Sequence, residues 1–400
     1  MRAQGAGGPS LEWPGKQDAA ARAEEPVLGE LVHLPEESVD AATTCNVVVE
    51  GDNLAALVLL APELGGRVRL AYIDPPYNTG RDLVYRDDVS HADWLSMMYP
   101  RLLVARETLA ADGVIAVSID DTEVGHLRLL LDEVMGERNL LAHVVHKARA
   151  SVSNDRIVSR SHHHLLLYAR DLELLATRRS SIGLAPDLEG FANPDDDPRG
   201  PWRGVPLDGP GGARKRNPFY AFLGVEGHWR YSRETMQRKH DDGLVVATAR
   251  GLQQKYFLSQ AQARRRTVTS WWDDIGYTST ASRRLTALLG GAYFEAPKPV
   301  ALVERLLEMF TATEPGALVL DFFAGSGTTG HAVMAANAAD GGTRRFVLVQ
   351  LDEPPSPRSA AAEAGYTSIA QLTRERLRRA GAMYADEGVD IGFRALRIEP

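Results

Sequence analysis

The sequence predicts an open, mostly parallel α/β sheet with helices on both faces and a separate module inserted into it. Three observations predict this. From Asn46 to about residue 180, short apolar runs of strand length alternate with longer stretches of helical period. The same alternation resumes near Pro297, and between the two the period fails in a stretch dense in Gly, Pro, Arg and Trp.

Taken in order, residues 1–45 are expected to be a disordered or extended tail, the Ala, Gly and Glu of the first twenty-five or so coming without apolar period. Residues 46–180 form the first half of the sheet domain. NVVVE reads as a strand, NLAALVLLAPEL as a helix, and VRLAYID as a second strand stopped by two prolines. DWLSMMYPRLLVARETLAADG reads as a helix ending at Gly113, followed by strands in GVIAVSID and HHHLLLYAR. Residues 181–290 are the inserted module. Residues 291–400 complete the sheet domain, with VALVERLLEMF helical, ALVLDFF and RRFVLVQLD as strands, and SIAQLTRERLRRAG as a closing amphipathic helix.

Bulk composition bounds the function. The chain is 44% hydrophobic, enough for a sizeable core, and its single cysteine, Cys45, excludes an internal disulfide framework or a Cys-rich zinc site. No apolar run approaches the ~18 residues that span a bilayer, and no signal core opens the chain, so a soluble cytoplasmic protein is expected. The net charge of −8 conceals a segregation. Residues 199–285 hold 16 Lys or Arg against 7 Asp or Glu, whereas the remainder holds 29 against 46. Four of the six tryptophans (Trp202, Trp229, Trp271 and Trp272) lie in the same stretch, and basic residues interleaved with aromatics suit a surface that neutralises phosphates and stacks on bases. Arg214, Lys215, Arg216, Arg264, Arg265, Arg266, Trp271 and Trp272 are the candidate contacts to DNA; the plainer alternative is a solvated basic insertion.

Two motifs carry chemistry. Asp74-Pro75-Pro76-Tyr77 stands at the C-terminal end of VRLAYID, the edge of a parallel sheet where ligands bind. The exocyclic amine of adenine is a poor nucleophile, because its lone pair is conjugated into the ring. Two acceptors that bond its hydrogens favour the pyramidal nitrogen, and the Asp74 carboxylate with the Pro75 carbonyl, held by proline's fixed φ, can supply them. Tyr77 can stack on a base extruded from the duplex. A plain turn, with Asp74 as a cap, is the alternative. The second motif is Asp321-Phe322-Phe323-Ala324-Gly325-Ser326-Gly327-Thr328-Thr329-Gly330, between a strand and a helix. Its glycines allow a tight turn and a close approach of backbone to ligand. They also spell G-x-G-x-x-G with Asp352 about twenty residues on, so this motif alone fits either NAD or S-adenosylmethionine. Little more than one βα unit follows before the sequence ends, and Asp321 suits a ligand with a cationic amino-acid group; both favour S-adenosylmethionine.

With these residues in hand, the chain resembles the β-class amino-methyltransferases, particularly the modification subunits of type III restriction-modification systems. The resemblance runs from about Asn46 to Arg397 through GDNLAAL, YIDPPYNTG, DWLSMMYPRL, DGVIAVSIDD, SWWDDIG, APKPVALVERLL, LDFFAGSGTTGHAV, RRFVLVQLDE and IGFR. It implies a Rossmann-like S-adenosylmethionine-dependent methyltransferase fold with an inserted target-recognition domain. Asp74 to Tyr77 then form the catalytic pocket. Phe323 to Thr328, with Asp321 and Phe322 before them, cradle the methionine part of the donor; Asp52 contacts its adenine, and Lys298 with Pro299 forms an additional donor-binding segment. Gln350 or Asp352 stands where an acidic residue binds ribose hydroxyls. The implied activity is site-specific methylation of adenine N6 in duplex DNA by base flipping and in-line displacement. A second copy of the chain and a restriction subunit are further candidate partners.

No metal is expected. Three consecutive histidines, His162 to His164, cannot converge on one ion from a strand, whose side chains alternate faces. Asp120 and Asp121 read as a cap or pocket lining, since methyl transfer from a sulfonium needs no metal. The rivals are cytosine-N4 methylation on the same fold, an NAD-dependent oxidoreductase built on the glycine turn, and a catalytically silent DNA-binding protein.

Overall fold

The computed structural model describes residues 10–80, 89–152, 157–249 and 251–400. They divide into two compact units, one of residues 1–179 and 268–400 and the other of residues 180–267.

The larger unit begins with α1 (Lys16–Arg22) and β1 (Glu30–His33). Residues 1–9 of the expected tail lie outside the described residues, and the rest of it differs from expectation. The Trp13 indole donates to Ser96 Oγ at 2.9 Å and meets the Tyr99 ring edge-on, Lys16 pairs with Glu133, and β1 pairs antiparallel with the last strand. A few large anchors in an Ala-rich background, and a backbone ladder to a distant segment, are both invisible to local composition.

Next come β2 (Val47–Glu50), α2 (Asn53–Leu64), β3 (Val68–Ile73), α3 (His91–Thr108) and β4 (Leu109–Ile119). The strands β2 and β3 are buried along their whole length, as strands covered on both faces must be. The expected helix to Gly113 ends five residues early, at Thr108, because Leu109 already pairs with Val68 in the sheet. Then follow α4 (Val124–Leu131), β5 (Leu140–Lys147), β6 (His162–Ala169) and α5 (Leu172–Thr177).

The smaller unit contains β7 (Trp202–Pro206), β8 (Phe219–Phe222), β9 (Val225–His228), α6 (Arg233–Asp241), β10 (Val245–Thr248), β11 (Gly251–Phe257) and α7 (Leu258–Gln262). Its sheet runs β10-β11-β7, all antiparallel, beside the β8-β9 hairpin, over a core of Leu207, Phe222, Trp229, Met236 and Leu252. The inserted module therefore closes at residue 267, and 268–290 return to the larger unit as β12 (Trp271–Trp272) and α8 (Thr278–Leu289).

The chain ends with α9 (Val300–Thr311), β13 (Leu318–Asp321), α10 (Thr328–Asp340), β14 (Arg345–Gln350), α11 (Ala360–Glu363), α12 (Ile369–Ala382) and β15 (Arg394–Glu399). The large sheet has the order β1-β15-β2-β14-β13-β3-β4-β6-β5-β12. From β15 to β4 every neighbour is parallel, while β1 and β6 run against their partners. The expected α/β sheet is thus present.

One pairing decides where the site lies. From β3 the chain proceeds through α3 to β4 on one side, and from β13 through α10 to β14 on the other. The neighbours β3 and β13 therefore flank the point where winding direction reverses, the crevice at which open α/β sheets bind ligands. Both sequence motifs leave the sheet there.

Candidate active site

Asp74 and Lys298 meet at this crevice. Lys298 Nζ donates to Asp74 Oδ2 at 2.6 Å and lies 4.7 Å from the centre of the Tyr77 ring. The other carboxylate oxygen, Asp74 Oδ1, is buried with no hydrogen-bond partner among the described residues. The backbone beyond is fixed by the buried Trp94, whose indole donates to the Pro76 carbonyl at 2.7 Å. His163 meets the Tyr77 ring edge-on at 5.3 Å, and burial, then the Lys298 charge, holds its pKa well below the usual histidine value.

The next residue, Asn78, has φ +57° and ties the loop to Glu123, its Nδ2 donating to Oε1 at 2.7 Å. Glu123 is fully buried at the head of α4, and its two oxygens also meet the Nδ1 atoms of His91 and His126 at 2.7 and 2.8 Å. This carboxylate clamps the Asp-Pro-Pro-Tyr loop, the start of α3 and α4 together.

Across the crevice lies the glycine turn. Asp321 Oδ1 accepts from Phe323 N at 3.0 Å and Oδ2 from Thr329 Oγ1 at 2.5 Å, so the carboxyl closes the turn on itself. Complete burial pushes its pKa up to about 7, with Asp74 adding to the effect. Gly325 stands at φ +52°, and a Cβ there would come within 3.3 Å of the Phe294 ring; a Cβ on Gly330 would strike Leu377 at 2.5 Å. The positive φ of Gly325 favours glycine outright, and the packing against Gly330 leaves little room for a side chain. Together Asp74, Tyr77, Phe294, Lys298, Phe323 and Ser326 line part of one cleft of about 580 Å³.

The other expected site residues make contacts of their own around the crevice. The amide of Gln350 braces the turn, Oε1 accepting from Gly325 N at 2.7 Å and Nε2 donating to Glu353 at 3.2 Å, which leaves the oxygen one further lone pair to offer. Asp352 is exposed, whereas Glu353 is half-buried, with a pKa raised by burial to about 7. Asp52 caps α2 and pairs with Arg101 at 2.7 Å. Its neighbour Asn53 reaches the turn, donating to the Phe322 carbonyl at 2.6 Å. Lys298, besides holding Asp74, lines the same cleft as the glycine turn.

Of the DNA candidates, Arg214, Lys215 and Arg216 are exposed at one turn of the smaller unit, as are Arg264 and Arg266. The Arg265 Nε donates to the Gly183 carbonyl, which gives that side chain a structural role. Trp272 is buried, donates to the Thr269 carbonyl and lies under Arg305, so it is a core residue and no contact to DNA. Adjacent residues on a strand face opposite ways, which leaves Trp271 exposed.

The histidine run also needs amending. His163 faces Tyr77, but His162 and His164, two apart on β6, both reach Asp121, at 3.4 and 2.8 Å. That trio and the His91, Glu123 and His126 group each bring donor atoms of metal-binding type within 4.8 Å of one another. Asp120 caps the turn before α4, accepting from Thr122 N, and lines the cleft.

A parallel sheet with its cleft at the reversal point, entered by a glycine turn on one side and an Asp-Pro-Pro-Tyr loop on the other, defines a Rossmann-like methyltransferase. The DNA methylase family model matches residues 68–352, and the chain belongs to that family. It is 32% identical to the StyLTI Mod subunit of a type III restriction-modification enzyme from Salmonella typhimurium, the match covering 88% of this chain and 60% of that relative's length. It is 29% identical to the type II methyltransferase M.KpnI of Klebsiella pneumoniae, covering 84% of this chain and 87% of the relative. The EcoPI Mod subunit of Escherichia phage P1 is likewise 29% identical, over 97% of this chain and 71% of the relative. Among solved structures, PvuII DNA methyltransferase (cytosine-N4-specific) is 16% identical with a TM-score of 0.41, covering 84% of this chain and 94% of that one. Family membership sets aside the oxidoreductase reading. No helix among the described residues is long and apolar enough to cross a membrane.

The buried carboxyls of this site carry testable consequences. Replacing Glu123 by Ala strips a buried acceptor from Asn78 and two imidazoles, and should lower stability by about 2–3 kcal/mol. An unchanged urea midpoint would show that the clamp contributes nothing. For Asp321 the folded-state pKa lies above the ordinary 3.8, so its contribution to stability is full below that value and lost as pH rises through about 7. Asp321→Asn should therefore show a smaller fall in thermal midpoint from pH 5 to 8 than the unsubstituted chain, and parallel curves would contradict the assignment.

Proposed function

We propose that this chain is a site-specific DNA methyltransferase acting on adenine N6 in duplex DNA, with S-adenosylmethionine as the donor and a modification role beside a restriction subunit. The observation that carries this reading is the division of labour at Asp74. One oxygen is taken by Lys298, and the other is buried in the crevice with no partner among the described residues, opposite the glycine turn. The donor fits the residues present: a turn that Cβ atoms would obstruct, and two hydroxyls, of Ser326 and Thr328, on the cleft wall.

When bound, S-adenosylmethionine supplies a methyl carbon made electrophilic by its sulfonium. The chain's own residues do the rest. Asp74 Oδ1 and the Pro75 carbonyl accept the two amine hydrogens of a flipped adenine, which turns the nitrogen lone pair out of conjugation and stabilises the positive charge it gains. Lys298 holds the carboxylate in one orientation, and Trp94 holds the Pro76 carbonyl so that the preceding backbone is fixed. Tyr77, pinned between Lys298 and His163, offers its ring to the base, offsetting part of the lost stacking. The turn residues Phe323, Ala324, Gly325, Ser326 and Thr328 line the donor's side of the cleft. Duplex phosphates are met by the exposed Arg214, Lys215, Arg216, Arg264 and Arg266, with the exposed Trp271 as a stacking surface.

Asp74→Ala should abolish methyl transfer, by a factor of about 10³ or more, while donor affinity stays within a few fold. Tritiated-methyl transfer to DNA and calorimetry of donor binding read the two separately, and parallel loss of both would remove Asp74 from the catalytic role. Mass spectrometry of nucleosides from the modified DNA should show N6-methyladenine; N4-methylcytosine would overturn the base assignment.

A further inference from the structure

The closing helix α12 carries an arginine that the proposed reaction does not yet use. Arg376 is completely buried behind the glycine turn, and its Nη1 donates to Ser326 Oγ at 2.7 Å and Thr328 Oγ1 at 2.8 Å. Burial alone pushes its pKa down to about 9, with no carboxylate among the causes, and its Nε is buried without a partner among the described residues. The titratable neighbour it does influence, His331 on α10, has its pKa held near 3 by burial and by Arg376, and so is neutral. Two positions earlier on the same helix, Arg374 is equally buried but is met by Glu37 and Glu50 at 3.1 and 2.6 Å. A buried cation is normally compensated in this way, so the absence of an anion beside Arg376 among the described residues calls for a cause.

The hydroxyls supply one. A guanidinium can only donate, so each hydroxyl that accepts from it keeps its own hydrogen to donate onward. Ser326 and Thr328 both line the cleft, and Thr328 opens α10, whose thirteen residues aim the positive end of the helix dipole at the same place. Two oriented O–H donors, a helix N-terminus and an uncompensated cation behind them together make a seat for a small anion. We propose that Arg376 is a positioning residue which, through the Ser326 and Thr328 hydroxyls, turns the glycine turn into a carboxylate-recognition site for the amino-acid end of the methyl donor. This rests on the reading of the chain as an S-adenosylmethionine-dependent methyltransferase.

The test compares S-adenosylmethionine with its decarboxylated analogue, which keeps the sulfonium and adenosine but has no carboxylate, by equilibrium binding to the full chain. The unsubstituted chain should prefer the carboxylated donor at least tenfold. Arg376→Met should weaken that donor about tenfold or more while leaving the analogue within twofold, so the preference collapses, and Arg376→Lys should restore part of it. Equal weakening of both ligands in Arg376→Met, or a preference that survives the substitution, overturns the proposal. Should Arg376→Met fail to fold, the double variant Ser326→Ala with Thr328→Val takes its place: loss of the preference supports the relay, and its survival overturns it. Binding of both ligands without preference by the unsubstituted chain defeats this inference alone, whereas binding of neither defeats the methyltransferase reading beneath it.

Discussion

The parallel pairing of β3 with β13 is the constraint on which the site depends. Leu320 lies beside Ala71, so two segments far apart in the chain end at one edge, and the loops that leave them have no alternative but to face each other. Neither motif makes a site alone. Asp74 without the turn is a capped strand end, and the turn without Asp74 is a generic ligand cradle. Because the two strands flank the reversal point, the helices that follow them wind away in opposite directions and leave the crevice open.

What is legible in the sequence is local and periodic. The wholly buried strands β2 and β3 announce themselves as apolar runs, and the Asp-Pro-Pro-Tyr and glycine motifs stand out because each must sit within a few residues of a strand end. Partners across long separations are not legible. Nothing local ties Lys298 to Asp74, although its ammonium lies 2.6 Å from that carboxylate. Gln350 ends the right strand to reach a ribose; that its amide turns back to brace Gly325 depends on the fold of the turn. The N-terminal segment departs from expectation for the same reason, since the antiparallel ladder of β1 with β15 joins two ends of the sequence.

Composition misleads in one instructive place. The aromatic and basic residues of 199–285 look like one surface in the sequence, but Trp229 belongs to the core of the smaller unit and Trp272 is buried in the larger, each fully enclosed. A small antiparallel unit has little apolar area to bury, and a single tryptophan supplies much of it. The exposed arginines and lysines around such a unit are then its solvated surface as well as its candidate grip on phosphate. Charge and aromaticity in one segment therefore argue for nucleic acid only after the buried rings are subtracted.

The buried ionisable groups around the crevice follow one electrostatic logic. A charge removed from water must be neutralised, paired, or placed where a ligand's charge can reach it. Glu123 and Asp74 are paired, with imidazoles and an amide in one case and Lys298 in the other. His163 and His331 are driven towards their neutral forms by burial. Asp321 is driven only part of the way, its titration pushed up near neutrality, and Arg376, with no acid beside it among the described residues, fits neither solution; both belong to the glycine turn or its support. An amino acid carries one group of each sign. A turn that sets an acid able to ionise on one side and a cation relayed through two hydroxyls on the other is complementary to that pair, and a dinucleotide pyrophosphate, which is wholly anionic, would meet Asp321 as repulsion. The same G-x-G-x-x-G spacing thus serves different ligands according to the charges buried around it, and here those charges suit a zwitterion.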